Sequence, residues 1–483
     1  MINFMNMQWP ILQIILPLLS ALVIVIIPSI KAARIISIVT VLLSTTINIY
    51  GLNNLDEAVR YNLGGFNAPI GIEYRLDHLN QPILCFISLV TLFMLTVLQP
   101  QIINQVEKYI TSSRRHLLYS IILLVYTGFS GMLATNDLFN LYVFLEISSL
   151  ASYALISQGE DKRRLIGALD YLIMGTIGAS LILIGVGMIL TSTGSLNIDD
   201  IHVRLEGLYH SKIVILGLSF FICGCLLKIA LLPLHFWMIR AYSFASPVLL
   251  SMLAGISSIV GFYCLLRFIY FVVDYQALYA HFFGDIIKYL ALAAIIISSY
   301  LALKSNDLRR IILYSAAAQI GYGVLLLAHP SPFMIAVAIL SIITDSLIKI
   351  SLFILLDPAL KTHEEPPSHT NRASYIFLIL ISFTILSNSS MPFTANFINK
   401  INMLSAILDA KEYVAFFVII ATSILSLEYN YKIFKRLYNK HIQATYRSVL
   451  ALSIPSLATI ALMIYNEKLL QYIQTFFRGI ING

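Results

Sequence analysis

The sequence is short of charge. Asp, Glu, Lys and Arg make up 11% of its 483 residues, while 59% are hydrophobic. A soluble domain carries roughly 25% charged residues, so a water-soluble globular chain of this length is excluded. Cysteine is scarce too: Cys85, Cys223, Cys225 and Cys264 all fall inside apolar runs, as small buried side chains do. Cys223 and Cys225 do not form a CxxC pair, and no second pair completes a metal site. The chain also lacks a P-loop and a dinucleotide-binding glycine fingerprint. These absences argue against redox chemistry by this chain, and no cofactor or metal is expected. No polar stretch is long enough for a separate globular domain, so one membrane domain over residues 1–483 is expected.

Long apolar runs are present from one end to the other. Each is near the ~20 residues a helix needs to cross a hydrocarbon core. Hydropathy and breakers place fourteen helices, at 10–27, 33–50, 79–98, 117–134, 136–156, 165–192, 213–239, 247–273, 285–303, 311–327, 331–356, 373–408, 412–437 and 448–464. The first lacks a basic leader and a cleavage site, so it reads as a retained helix. The seventh contains Pro233, which removes a backbone donor. The twelfth is too long for one crossing and holds the breaker cluster Ser387-Asn388-Ser389-Ser390-Met391-Pro392. The expected fold class is an all-α polytopic membrane protein of about fourteen transmembrane helices, with helices 7 and 12 broken.

Fourteen spans put both termini on one side. Eight of the 31 Lys and Arg residues then lie on that side and nineteen on the other, among them Arg114, Arg115, Lys162, Arg163, Arg164, Arg309 and Arg310. The positive-inside rule makes the richer side cytoplasmic. The expected location is a bacterial inner membrane, multi-pass, with both termini outside. The net charge of +7 reflects this asymmetry and gives no reason to expect nucleic acid as a partner.

Among the charges within the predicted spans, the ones to explain are Lys228, Arg267, Lys349, Lys400, Glu146, Asp170, Asp345 and Glu428. A charge at the bilayer centre costs about 2.5–3.5 kcal/mol on insertion scales, so such residues face protein or water and often mark ion pathways. Glu146 sits mid-helix. It either makes a structural helix–helix bond or pairs with a buried lysine. Burial favours a neutral lysine and a nearby carboxylate favours the charged one, so a balanced pair exchanges its proton near neutral pH. Lys228, just before the Pro233 break, is the natural partner. Broken helices in two corresponding places point to an ion site, and the second break is followed by Lys400. The ordinary alternative for both lysines is snorkelling to an interface. Asp345 lies one turn before Lys349, so the two can pair on one face, as a relay or as a neutralised couple. His235, two residues after Pro233, is either structural or a proton relay, its ordinary pKa being about 6.5. Arg267, Asp170 and Glu428 have adequate structural explanations.

These residues carry a resemblance. GGFNAPIGIEYRLDHLN (Gly64 to Asn80), the Glu146 helix, KIALLPLHFWMIRAYSFASPVLLSMLAG (Lys228 to Gly255), DLRRIILYSAAAQIGY (Asp307 to Tyr322) and MPFTANFINKINML (Met391 to Leu404) together resemble one family. It comprises the antiporter-like membrane subunits shared by respiratory complex I and Mrp-type sodium/proton antiporters, and the chain looks most like the Mrp D subunits. The resemblance implies two inverted five-helix repeats, 117–273 and 285–437. These would be flanked by a third helix in 64–116 and a last helix with an amphipathic tail in 448–483. It implies proton translocation along Glu146, Lys228, Lys349 and Lys400, with His235 and Asp345 as further candidates. It also implies assembly with other membrane subunits and transport of protons with Na+. The departures are Ile259, where the family has a lysine in the eighth helix; Thr344-Asp345, where it often has Asn-His; and Asp170, where many relatives have lysine. Three functions are therefore expected in turn: an antiporter subunit, a proton-pumping subunit of a quinone-reducing or hydrogenase-like complex, and a scaffold that no longer moves ions.

Overall fold

The structure, a computed structural model, describes residues 2–55, 57–273, 275, 283–356, 361–363, 372–438 and 441–481. Among them are nineteen α-helices. They run α1 (Ile2–Ile26), α2 (Ile30–Asn53), α3 (Asn80–Thr96), α4 (Gln99–Gln105), α5 (Arg115–Ala134), α6 (Leu138–Ile156), α7 (Arg164–Thr193), α8 (Ile198–Leu205), α9 (Lys212–Lys228) and α10 (Phe236–Phe244). They continue with α11 (Pro247–Arg267), α12 (Phe283–Lys304), α13 (Leu308–Leu327), α14 (Pro332–Ile354), α15 (Arg372–Asn388), α16 (Ala395–Asp409), α17 (Tyr413–Tyr438), α18 (Tyr446–Ile464) and α19 (Asn466–Ile481). Eleven are long and apolar enough to cross a membrane, or twelve with α3 and the segment after it, bent by 63°, taken as one span. Two small antiparallel strand pairs, Val59–Asn62 with Glu73–Leu76 and Lys361–His363 with His441–Gln443, were not foreseen in the sequence.

The membrane reading rests on more than hydropathy. Helix α2 turns Ile35, Val39, Leu42, Leu43 and Ile49 outward and buries Ser37, Thr40, Ser44, Thr45 and Asn48. In water that polarity would be inverted. In a bilayer it is the stable one, because lipid accepts the apolar face and offers nothing to a polar side chain. The protein is an all-helical, multi-pass membrane protein.

The chain forms two compact units. The first comprises residues 1–99, 106–229 and 260–281; the second comprises 100–105, 230–259 and 282–483. In the first unit α7 and α9 meet along glycines. A Cβ added at Gly185 would lie 2.7 Å from the Gly217 carbonyl, and one at Gly224 would lie 2.7 Å from the Gly178 carbonyl. Small residues let membrane helices approach backbone to backbone, which gains the dispersion contacts that hydrophobicity cannot supply in lipid. The seam ends one turn before Lys228, the last residue of α9.

In the second unit α14 is the central helix, with 89% of its spanning window buried. Ser346 on it donates to the Gly255 carbonyl of α11. Lys432 and Arg436 of α17 donate to the Leu303 and Asn306 carbonyls at and just after the end of α12, where positive side chains suit the helix dipole. The amphipathic tail is helix α19. It packs on α14, with Leu470 and Phe477 buried.

Candidate functional site: buried lysines beside two helix breaks

In the first unit, Asp137 caps α6 by accepting from the Asn140 N–H at 2.7 Å. Glu146 then falls two turns into the helix and is half-buried, with Ser149 buried three residues on. Lys228 is the last residue of α9 and is largely buried. Its ammonium donates to the Ser149 hydroxyl at 2.8 Å. Glu146 is close enough for its charge to act on Lys228, yet no described carboxylate lies within 4.0 Å of the ammonium. The two residues are therefore neighbours, not a contact ion pair, and the hydrogen bond of the ammonium goes to Ser149.

The helix stops at Lys228 and resumes at Phe236, which matches the break read from Pro233. Ala230 takes a left-handed backbone, with φ 55°. A side chain there is uncommon and strained, so the surroundings must hold it. His235, fully buried, packs 4.4 Å from the Phe236 ring and 6.2 Å from Tyr314. The Pro233 carbonyl is near, but among the described residues neither ring nitrogen has a hydrogen-bond partner in good geometry.

In the second unit, Lys349 is 1% exposed and pairs with Asp345, one turn earlier on α14, at 3.2 Å. It also donates to the Ser315 hydroxyl at 2.8 Å and to the side-chain amide oxygen of Asn388 at 3.1 Å. Asn388 in turn donates to Asn430 at 2.7 Å. A buried ion pair holds only when extra hydrogen bonds satisfy its remaining protons, and Ser315, Asn388 and Asn430 supply that shell. The sequence reading missed them as partners. The signal was present, since Ser315 lies in the ILYSAAAQIGY stretch and Asn388 in the breaker cluster.

The second break runs from Asn388 to Ala395, with Ser390 at φ 54° and Phe393 at φ 65°. The Ser387 carbonyl accepts from the Ser390 N–H at 3.1 Å and from the Asn396 side chain at 3.3 Å, and Thr394 caps α16. Lys400 follows, buried, with no hydrogen-bond partner among the described residues. Its ammonium lies 5.0 Å above the Tyr322 ring, a cation–π contact. Its neighbour Asn399 bridges two elements, donating to Thr344 at 3.1 Å and accepting from Asn466 at 2.8 Å.

The remaining charges sort differently. Arg267 is 2% exposed and donates to Asp77 at 2.6 Å, with its guanidinium 3.9 Å from the Phe271 ring. Asp77 also caps α3, accepting from the Leu79 and Asn80 N–H groups at 3.0 Å. Burial alone would raise the Asp77 carboxyl, but Arg267, the Asn80 N–H and Arg75 outweigh it and hold it below the usual carboxylate range. Arg75 continues to Asp199 at 2.7 Å, and Arg60 joins Asp199 to Glu73. The structural reading of Arg267 is the one the geometry supports. Asp170 is half-buried and Glu428 exposed on their helices. Ile259 is buried at 2% exposure, and the Ser258 hydroxyl beside it is already spent on the Ala254 carbonyl at 2.9 Å.

Residues 135–426 match the family described as NADH:quinone oxidoreductase/Mrp antiporter, TM. The chain belongs to this family. All six candidate residues lie inside the matched segment, and helices α1 to α5 precede it. Within the family, the chain is 33% identical over 445 residues to NADH-quinone oxidoreductase subunit N of Desulforudis audaxviator, covering 90% of this chain and 87% of that one. It is 26% identical over 438 residues to a Staphylococcus epidermidis protein provisionally named antiporter subunit mnhD2, covering 89% and 84%. The fold is that of chains in two solved assemblies. One is the Mrp complex of a Dietzia species, with TM-score 0.84 at 18% identity over 99% of this chain and 98% of that one. The other is the archaeal membrane-bound sulfane sulfur reductase, with TM-score 0.86 at 20% identity over 98% of both.

Proposed function

We propose that this chain is the proton-translocating subunit of a multisubunit monovalent cation (Na+)/proton antiporter complex. The observation that carries it is Lys349, wholly buried at membrane depth on a central helix and held by Asp345, Ser315 and Asn388. A buried lysine with one carboxylate and two neutral acceptors can hold or release its proton without leaving a bare charge in lipid. Lys228 with Glu146 forms the corresponding site beside the first break, Lys400 ends the series beside the second, and His235 is a further relay candidate. The reading includes fourteen crossings, with α9–α10 and α15–α16 each a broken span, arranged as inverted repeats 117–273 and 285–437. It also includes other membrane subunits as partners, a bacterial inner membrane as the location and both termini outside. The likeness to chains of assembled membrane complexes supports the partners.

The test is ion flux in vesicles of the assembled complex. Glu146→Ala, Lys228→Ala and Lys349→Ala each abolish Na+-driven proton movement on this reading. Wild-type flux in any correctly assembled variant would sink that residue's role.

A second reading, a proton-pumping subunit of a complex I-like oxidoreductase, is favoured by the higher identity to a subunit N than to an antiporter subunit, 33% against 26%. Flux that needs a quinone and a reductant, and ignores Na+, would select it. Ile259 motivates a third reading, a scaffold that moves no ions. Proton flux gained only with Ile259→Lys would establish that one.

A further inference from the structure

The N-terminal helices α1, α2, α3 and α5 carry a buried polar cluster that the charged residues do not explain. Gln13, Ser44, Asn48, Gln81, Tyr126 and Ser130 are each 0% exposed. Among the described residues, seven of their side-chain atoms have no hydrogen-bond partner: Gln13 Nε2 and Oε1, Ser44 Oγ, Asn48 Oδ1, Gln81 Oε1, the Tyr126 hydroxyl and Ser130 Oγ.

These atoms share one depth. Thr40 donates to Ser20 at 2.8 Å, and a Cβ at Gly51 would meet the Trp9 ring. Those two contacts set α1 antiparallel to α2 and bring Gln13 level with Asn48. Ser120 donates to the Ala21 carbonyl at 2.8 Å, which sets α1 against α5 and brings Gln13 level with the turn from Tyr126 to Ser130. Gln81 donates through Nε2 to the Asn48 carbonyl at 2.8 Å. The Tyr126 hydroxyl lies among Ser44, Asn48 and Ser130 but bonds none of them in good geometry.

Native interiors rarely leave one buried polar atom unpaired, and seven in one place need a common partner. Lipid cannot provide it. The chemistry of the set selects the partner. Three amide oxygens accept, Gln13 Nε2 donates, and three hydroxyls do either. A cation would satisfy the acceptors and be repelled by the Gln13 N–H. Water satisfies both kinds. We propose that this cluster is a binding site for resident water molecules, a neutral hydrated pocket in the membrane interior centred on Tyr126. It lies before the segment matched by the family and contains none of the buried lysines. Bound waters of this kind make two to four hydrogen bonds each and are integral to the fold.

The test is X-ray radiolytic hydroxyl-radical footprinting of the assembled complex, read by mass spectrometry. Radicals born from bound water label adjacent side chains even where bulk solvent cannot reach. After correction for intrinsic reactivity, Tyr126 is expected to label several-fold faster than Phe377, which is equally buried. Gln13→Leu or Ser44→Val should lower the Tyr126 rate several-fold, since each removes anchoring groups. Labelling of wild-type Tyr126 at the Phe377 rate would overturn the proposal without recourse to any variant. So would a Tyr126 rate that changes when Na+ is replaced by choline at constant ionic strength, because the occupant would then be an ion.

Discussion

Lys228 and Lys349 answer the same problem in two ways. Lys349 has a carboxylate in contact at 3.2 Å, two further acceptors and almost no exposure. Lys228 has one serine at 2.8 Å, a carboxylate out of contact and some exposure. The first site is locked as a fold element as well as a charge. The second is loosely held, with its nearby acid acting at a distance. Stability and transport should therefore separate at Lys228 and stay joined at Lys349.

The largest expected effect tests that directly. Asp345→Ala strands a buried ammonium and should cost about 3–5 kcal/mol, read as loss of folded complex in thermal unfolding, with transport lost too. Glu146→Ala should leave the melting curve near wild type and abolish flux. Equal destabilisation by both would erase the distinction between the two sites.

Next is the seam that ends one turn before Lys228. Gly185→Val puts a side chain 2.7 Å from the Gly217 carbonyl, and overpacking of this kind costs about 1–3 kcal/mol. Flux should fall because α9 shifts under its terminal lysine. The same substitution at Gly187, where a Cβ meets nothing within 4 Å, should leave both readouts unchanged.

A smaller effect, confined to acid, comes from Asp77. Its carboxyl sits below the ordinary range because Arg267, the Asn80 N–H and Arg75 outweigh burial. A depressed carboxyl contributes stability above its unfolded value of about 4 and loses it as pH falls through the folded value. Unfolding followed from pH 7 downward should thus show an acid limb below about pH 4 that weakens in Asp77→Asn. An unchanged limb would place the acid sensitivity elsewhere.

The smallest effect on stability should be Lys400→Met. The lysine leaves no acceptor unpaired when removed, since it has no hydrogen-bond partner among the described residues and lies over the Tyr322 ring. Replacing a buried unpaired charge with an apolar chain of similar volume is neutral or stabilising. A normal or raised melting temperature with lost flux would mark Lys400 as a transport residue. Normal flux would remove it from the pathway.

How much of this was legible beforehand depends on range. Pro233 and the Ser387–Pro392 cluster announced both breaks because breakers act on their own turn. Asp345 with Lys349 was legible because helical periodicity places residues four apart on one face. Ser149 as the Lys228 partner was not, nor was Asn388 as a ligand of Lys349 across 39 positions. The hairpin that carries Glu73 and Arg75, with Asp77 just after it, was not read from the sequence, since four-residue strands give little period to see.

The sequence by itself determined that this chain lives in a membrane, where its helices break, which charges fall in apolar stretches and which family it belongs to. Those follow from local hydropathy, local breakers and short motifs. Only the tertiary structure decided what each buried charge touches, why α9 can approach α7 and which polar atoms near Tyr126 are left without partners. The reason is geometric. A contact between distant helices depends on register and rotation, which are set by packing over the whole unit rather than by any run of neighbouring residues.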